Sequence, residues 1–116
     1  MKKTIIYHNP RCSKSREALQ LLKDYSCETE VMEYLKTPPS EEQLESLLDL
    51  LNIQPEELIR KNESIYAELY KGKKLSDKQW IKAMAEHPQL IERPIIVHDG
   101  KAVIGRPVEK VIELFR

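Results

Sequence analysis

Only two cysteines, three glycines and one phenylalanine occur in the 116 residues, and the 19 basic and 19 acidic side chains cancel to no net charge. Each shortage excludes something. Lys2 and Lys3 are followed by too few apolar residues for a secretory signal, and no apolar run approaches membrane-spanning length. The expectation is a cytoplasmic protein with no membrane association. In a reducing compartment two cysteines do not make a disulfide framework, so each is to be explained as a thiol. Zero net charge argues against general nucleic-acid binding, which needs a surplus of phosphate-neutralising cations. No His/Cys cluster has metal-ligand spacing, so no metal site is expected. Finer motifs are missing too. Ser15 stands where a C-x-x-C motif starting at Cys12 would need its second cysteine, and Ala18 where a C-x₅-R phosphatase loop would need its arginine.

The 41% hydrophobic content is enough for one core, and residues 1–116 are expected to form a single domain. Charge is unevenly spread: residues 1–27 carry six basic and two acidic side chains, residues 28–57 one and nine, and residues 58–116 twelve and eight. Two readings fit. One is a cationic site built from both ends of the chain with an acidic face from its middle. The other is a solvated acidic helix with scattered surface lysines.

"TIIY", residues 4–7, is β-branched and aromatic and predicts a strand. Ala18, Leu19, Leu22 and Tyr25 recur at helical spacing after Ser13. "ETEVMEYL", residues 28–35, predicts a second strand, and strand-helix-strand implies a right-handed parallel crossover. Ser40 with Gln43 forms a capping box ahead of Leu44, Leu47, Leu48 and Leu51, and Asn52 stops that helix. Pro55 starts a short helix carrying Leu58, Ile59 and Arg60. "SIYAELY", residues 64–70, predicts another short helix, and Ser76 with Gln79 caps one that Pro88 closes. "PIIVHDGKAVIG", residues 94–105, reads as two strands joined by Asp99-Gly100, the dipeptide of a type I′ turn. Pro107 then opens a helix whose Val108, Val111, Ile112 and Phe115 share a face. The predicted class is α/β, a thioredoxin-like fold of β-α-β then β-β-α with a helical insertion at about residues 40–87. A doubly wound nucleotide-binding domain competes, but the first strand-to-helix turn lacks its glycines.

Cys12 falls at that turn. A cysteine at a helix start faces unpaired N–H groups and the positive end of the dipole, which favour thiolate, and Arg11, Lys14, Arg16 and His8 lie close in sequence. The same N–H groups attract an oxyanion. The alternative is a small capping residue that merely fits. Cys27 is the one internal candidate to resolve an oxidised Cys12, yet a helix rising about 1.5 Å per residue holds them roughly 20 Å apart. Cys27 is therefore expected to be an ordinary, partly buried thiol, with the reductant supplied from outside.

Five ordered blocks carry a resemblance over almost the whole chain: "IYHNPRCSKSR" (6–16), "YLKTPPS" (34–40), "LIRKNESIY" (58–66), "LIERPIIV" (90–97) and "IGRPVEKV" (104–111). In these the sequence resembles the ArsC family, the glutaredoxin-linked arsenate reductases of thioredoxin-like fold. The resemblance implies that Cys12 is the nucleophile and that Arg60, Arg93 and Arg106 surround the oxyanion, with His8 and Ser15 beside the cysteine. It implies no bound cofactor but glutathione as co-substrate: Cys12 attacks arsenate, glutathione displaces the adduct, and glutaredoxin resolves the mixed disulfide to release arsenite. Guanidinium forks suit a tetrahedral dianion better than a lysine point charge, although each arginine taken singly reads more often as a surface charge. Pro94 resembles the thioredoxin-fold proline that is cis and faces the cysteine; the alternative is a trans proline opening an edge strand. His8 either holds the thiolate electrostatically or ends the strand.

Two other functions compete. A redox-sensing regulator resembling Spx, which binds RNA polymerase, would be expected to carry C-x-x-C where this chain has Ser15. A thiol oxidoreductase with a different physiological substrate would have less use for three arginines.

Overall fold

The computed structural model describes residues 4–25 and 28–115; Cys27 lies outside them. The elements in chain order are β1 (Thr4–Tyr7), α1 (Ser13–Asp24), β2 (Thr29–Met32), α2 (Glu41–Leu51), α3 (Ser64–Leu69), α4 (Asp77–Glu86), β3 (Ile95–His98), β4 (Lys101–Ile104) and α5 (Glu109–Ile112), with short 3₁₀ turns at Pro55–Leu58, Pro88–Leu90 and Glu113–Phe115. Among the described residues no helix is long and apolar enough to cross a membrane. The chain divides into two compact units, one built from residues up to 37 and from 93 onward, the other from Pro38–Glu92.

The first unit holds one sheet in the order β2-β1-β3-β4. β1 runs parallel to β2, with Thr4 opposite Thr29, and antiparallel to β3, with Ile6 opposite Ile96. β4 pairs antiparallel with β3 through Asp99 and Gly100, whose φ angles of 51° and 74° are the two left-handed values a type I′ turn requires. This is the thioredoxin-like topology expected from the sequence. Alternation along β1 turns Ile6 to one face, where it meets Ile96, Ala18 and Leu22 of α1, and Val111 and Leu114 of the C-terminal helical segment. Burial of each such aliphatic side chain contributes about 1.5–3 kcal/mol. The half-exposed Tyr25 closes the end of this core by stacking on Phe115 at 5.0 Å.

β2 is shorter than its sequence implied. β1 offers only four partners, and beyond Met32 the Glu33 carbonyl accepts the N–H groups of both Lys36 and Thr37, which turns the chain and buries Tyr34. The C-terminal helix also starts late. The Arg106–Pro107 peptide is cis, and the first bonds beyond it, from Lys110 N–H to the Pro107 carbonyl and from Val111 N–H to the Val108 carbonyl, span three residues and not four. Pro107 therefore precedes the helix and does not open it.

Gly105 sits where these pieces meet. A methyl group there would lie 3.0 Å from Ile96 Cδ1, 3.1 Å from Pro94 Cγ and 3.2 Å from Val111 Cγ2, all on buried side chains. Gly105→Val is expected to cost about 1–3 kcal/mol through overpacking, and Gly105→Ala less. Denaturant titration checks this; a valine variant as stable as the native protein would contradict the close packing.

In the second unit the capping boxes form as read. Gln43 N–H donates to Ser40 Oγ at 3.1 Å while Ser40 N–H donates to Gln43 Oε1 at 2.9 Å, and Ser76 and Gln79 repeat the exchange. α2 buries Leu44, Leu47 and Leu48, α4 buries Trp80, Ile81, Ala83 and Met84, and Asn52 ends α2 at a φ of 56°. Ile59 and Arg60 are not helical as expected. The turn ends at Leu58, Ile59 forms an antiparallel bridge with Ile91, and Arg60 N–H donates to the Leu90 carbonyl at 2.7 Å.

Candidate active site

β1 ends at Tyr7, and the loop 8–12 delivers Cys12 to the N-cap of α1. The loop is fixed from within. Cys12 N–H donates to the Asn9 carbonyl at 3.0 Å, Arg11 N–H to Asn9 Oδ1 at 3.0 Å, and Arg16 Nη1 to the Pro10 carbonyl at 3.0 Å. The Cys12 side chain forms no capping hydrogen bond of its own, and no acidic residue occupies the first turn of α1. Its sulfur, partly exposed, accepts instead from Arg106 Nη2 at 3.3 Å.

Burial is the largest single influence on the thiol and pushes its pKa up. It is outweighed by the Ser15 N–H, the hydrogen bond and charge of the Arg93 guanidinium, and the Lys14 N–H, so that the pKa falls below the ordinary value. The N–H groups of the helix start act on the thiol as expected, but the side-chain cations are not its neighbours in sequence. Arg11, Lys14 and Arg16 are exposed: Lys14 pairs with Glu17 at 3.8 Å, and Arg16 is spent on the loop carbonyl. The side-chain cations that act on the sulfur arrive from residues 93 and 106.

Both are positioned by β3 and β4. The Arg93–Pro94 peptide is cis, as the resemblance implied, and directly precedes β3; Arg106 follows β4. Gly105 N–H donates to the Pro94 carbonyl at 2.8 Å, and Arg106 Nε donates to the Arg93 carbonyl at 2.5 Å. One guanidinium therefore ties the Arg93 backbone and the Cys12 sulfur together. Arg60 belongs to the other unit, where Nη1 donates to Glu92 Oε1 at 2.8 Å and Nε lies 3.6 Å from Glu63 Oε1.

His8 and Ser15, both buried, form one contact: His8 Nδ1 lies 2.6 Å from Ser15 Oγ, which also accepts the Asn9 N–H at 3.1 Å. Burial lowers the His8 pKa most; Glu33 opposes this, and Arg16 and Lys23 add to it. His8 is therefore the neutral imidazole at pH 7 and reaches the cysteine helix through a hydrogen bond, not a positive charge. The sign for stability follows. The native state binds the proton less tightly than the unfolded chain, so the His8 contribution is complete above about pH 6.5, the unfolded value, and declines as pH falls below it. Stability measured by urea titration from pH 8 to 5 should fall across that window, and His8→Asn should flatten the decline; equal slopes in both proteins would refute it.

Among the described residues no group of three His, Cys, Asp or Glu side chains could hold a metal ion. The arrangement is one of an anion and its cations: a thiolate-prone sulfur, the N–H groups at the start of α1 and two guanidinium groups.

The chain is similar over nearly its whole length to known proteins. The Escherichia coli K12 protein named uncharacterized protein YfgD is 50% identical over 115 residues, covering 97% of each chain. A protein named arsenate reductase from Neisseria meningitidis serogroup A is 41% identical over 108 residues, covering 91% of this chain and 92% of its own. Among solved structures, one titled arsenate reductase from Vibrio cholerae superposes with a TM-score of 0.93 at 47% identity, over 97% of both chains. The sequence profile of the ArsC family matches residues 7–114, and with these likenesses the chain belongs to the ArsC family.

Proposed function

We propose that this protein is a cytoplasmic, single-domain arsenate reductase that uses the Cys12 thiolate as nucleophile, glutathione as co-substrate and glutaredoxin as the protein that restores the thiol. The observation that carries the reading is the Arg106 guanidinium on the Cys12 sulfur, with Arg93 also lowering the thiol pKa. Relatives named arsenate reductase support the substrate.

In this reading Arg93, Arg106 and the N–H groups at the start of α1 hold the oxyanion, with its arsenic against sulfur. Cys12 forms an S–As bond as an arsenate oxygen leaves as water. A glutathione thiolate then attacks the Cys12 sulfur, an S–S bond forms, and the S–As electron pair passes to arsenic, which leaves as arsenite. Glutaredoxin removes the glutathionyl group. Arg60 is the third oxyanion ligand, a role that requires Glu92 and Glu63 to yield its guanidinium to the substrate. His8 and Ser15 act through position, holding the loop and the first turn of α1 in register.

The test is NADPH-coupled arsenate reduction with glutathione, glutathione reductase and glutaredoxin, together with alkylation of Cys12 in the presence and absence of arsenate. Turnover and protection are expected. Absence of both would end the reductase reading.

A further inference from the structure

The first unit carries a groove of about 250 Å³. Residues 8–11, the loop that leads into Cys12, form one wall; Glu33, Leu35 and Lys36, from the turn after β2, form the other. The walls are joined by His8 N–H donating to the Met32 carbonyl at 2.8 Å, and the second is shaped by the Glu33 carbonyl accepting from Lys36 and Thr37. The lining is mixed. Pro10 and Leu35 supply apolar surface, Leu35 being 42% exposed; Arg11 and Lys36 supply two cations, and Glu33 one carboxylate. Lys36 and Glu33 face each other at 3.6 Å with the Lys36 side chain 78% exposed, a pair that contributes little and exchanges readily for a ligand's charges. The Arg11 guanidinium is exposed while its backbone is fixed on Asn9.

Cys12 is the free cysteine among the described residues, and Ser15 stands where a neighbouring thiol would be; in the reading above the second thiol comes from solution. We propose that this groove is where that thiol docks. The peptide that fits carries two carboxylates and one ammonium, the inverse of Arg11, Lys36 and Glu33, and glutathione has that charge pattern with its thiol between them. Its carboxylates lie on Arg11 and Lys36, its ammonium on Glu33, and its sulfur is presented to Cys12. This rests on the reading of Cys12 as a nucleophile served by glutathione, and adds the surface that selects the tripeptide.

Thiol-disulfide exchange tests it without arsenate. The Cys12 thiolate attacks glutathione disulfide, one S–S bond breaks as another forms, and a glutathione thiolate leaves, with no net oxidation. Rates followed by mass spectrometry are compared with those for the same disulfide with every carboxylate esterified. The native protein is expected to prefer the free acid by about tenfold, the effect of two modest charge-assisted contacts. Arg11→Ala and Lys36→Ala together are expected to bring the ratio below about threefold, and Lys14→Ala to leave it near tenfold. Taking the ratio within each variant cancels any change in the thiolate itself. A native ratio near one, a ratio that stays above threefold in the double variant, or an equal loss in Lys14→Ala would each overturn the proposal. Loss of arsenate turnover with the ratio intact would remove the substrate and leave the groove; turnover with the ratio absent would do the reverse.

Discussion

Cys12→Ser is expected to lower arsenate turnover in the coupled assay by more than about a thousandfold, a rise of at least ~4 kcal/mol in the barrier. Serine keeps the size of the side chain but not its acidity, and nothing at the site would deprotonate it. The guanidinium groups of Arg93 and Arg106 stabilise an anion at that position but accept no proton, and the buried imidazole within reach of the loop, His8, contacts Ser15. The fold should not suffer. Residue 12 is the N-cap of α1, and serine is a better cap than cysteine, so the variant should be as stable as the native protein or slightly more so. With both arginines in place, arsenate should still bind and stabilise the variant against heat. Turnover within tenfold of native, with glutathione and glutaredoxin present, would show that the nucleophile is elsewhere.

The sequence revealed different levels of this structure unevenly, for physical reasons. Signals that act within four or five residues were legible: the Ser40/Gln43 and Ser76/Gln79 boxes, the αL stop at Asn52 and the Asp99-Gly100 turn all depend on neighbours along the chain. Where an element ends against a partner from elsewhere, the reading ran long. β2 stops at Met32 because β1 has run out, and Ile59 leaves its turn to meet Ile91. The same division holds at the site. Sequence marked Cys12 through its place before α1 and credited its activation to the helix-start N–H groups, which do act on it, but also to the nearest cations, Arg11, Lys14 and Arg16. Those side chains point to solvent or to the loop, while the residues that act on the sulfur lie 81 and 94 positions away and arrive through the β3-β4 hairpin. The resemblance named Arg93 and Arg106; no periodicity or spacing did. The groove beside the loop had no local signature, because its walls are 22 or more residues apart in the chain.

Arg106 gives the second large effect. Its guanidinium makes two directed contacts at once, Nε to the Arg93 carbonyl at 2.5 Å and Nη2 to the Cys12 sulfur at 3.3 Å. A hydrogen bond to a charged partner contributes about 1.5–3 kcal/mol, and 1.4 kcal/mol is a factor of ten, so Arg106→Ala is expected to slow Cys12 alkylation at neutral pH by at least about tenfold. The informative substitution is Arg106→Lys. If charge alone mattered, lysine would restore most of the rate. A single ammonium on a flexible stem can satisfy the carbonyl or the sulfur, but it lacks the planar fork that spans both, so Arg106→Lys should stay within about threefold of Arg106→Ala. The pH at which alkylation reaches half its maximum should move up in both variants, toward that of an unperturbed cysteine, while the maximal rate at high pH does not fall, because a more basic thiolate is the stronger nucleophile. A lysine variant with native alkylation would reduce the role of Arg106 to its charge and leave the bond to the Arg93 carbonyl without a part in activating Cys12.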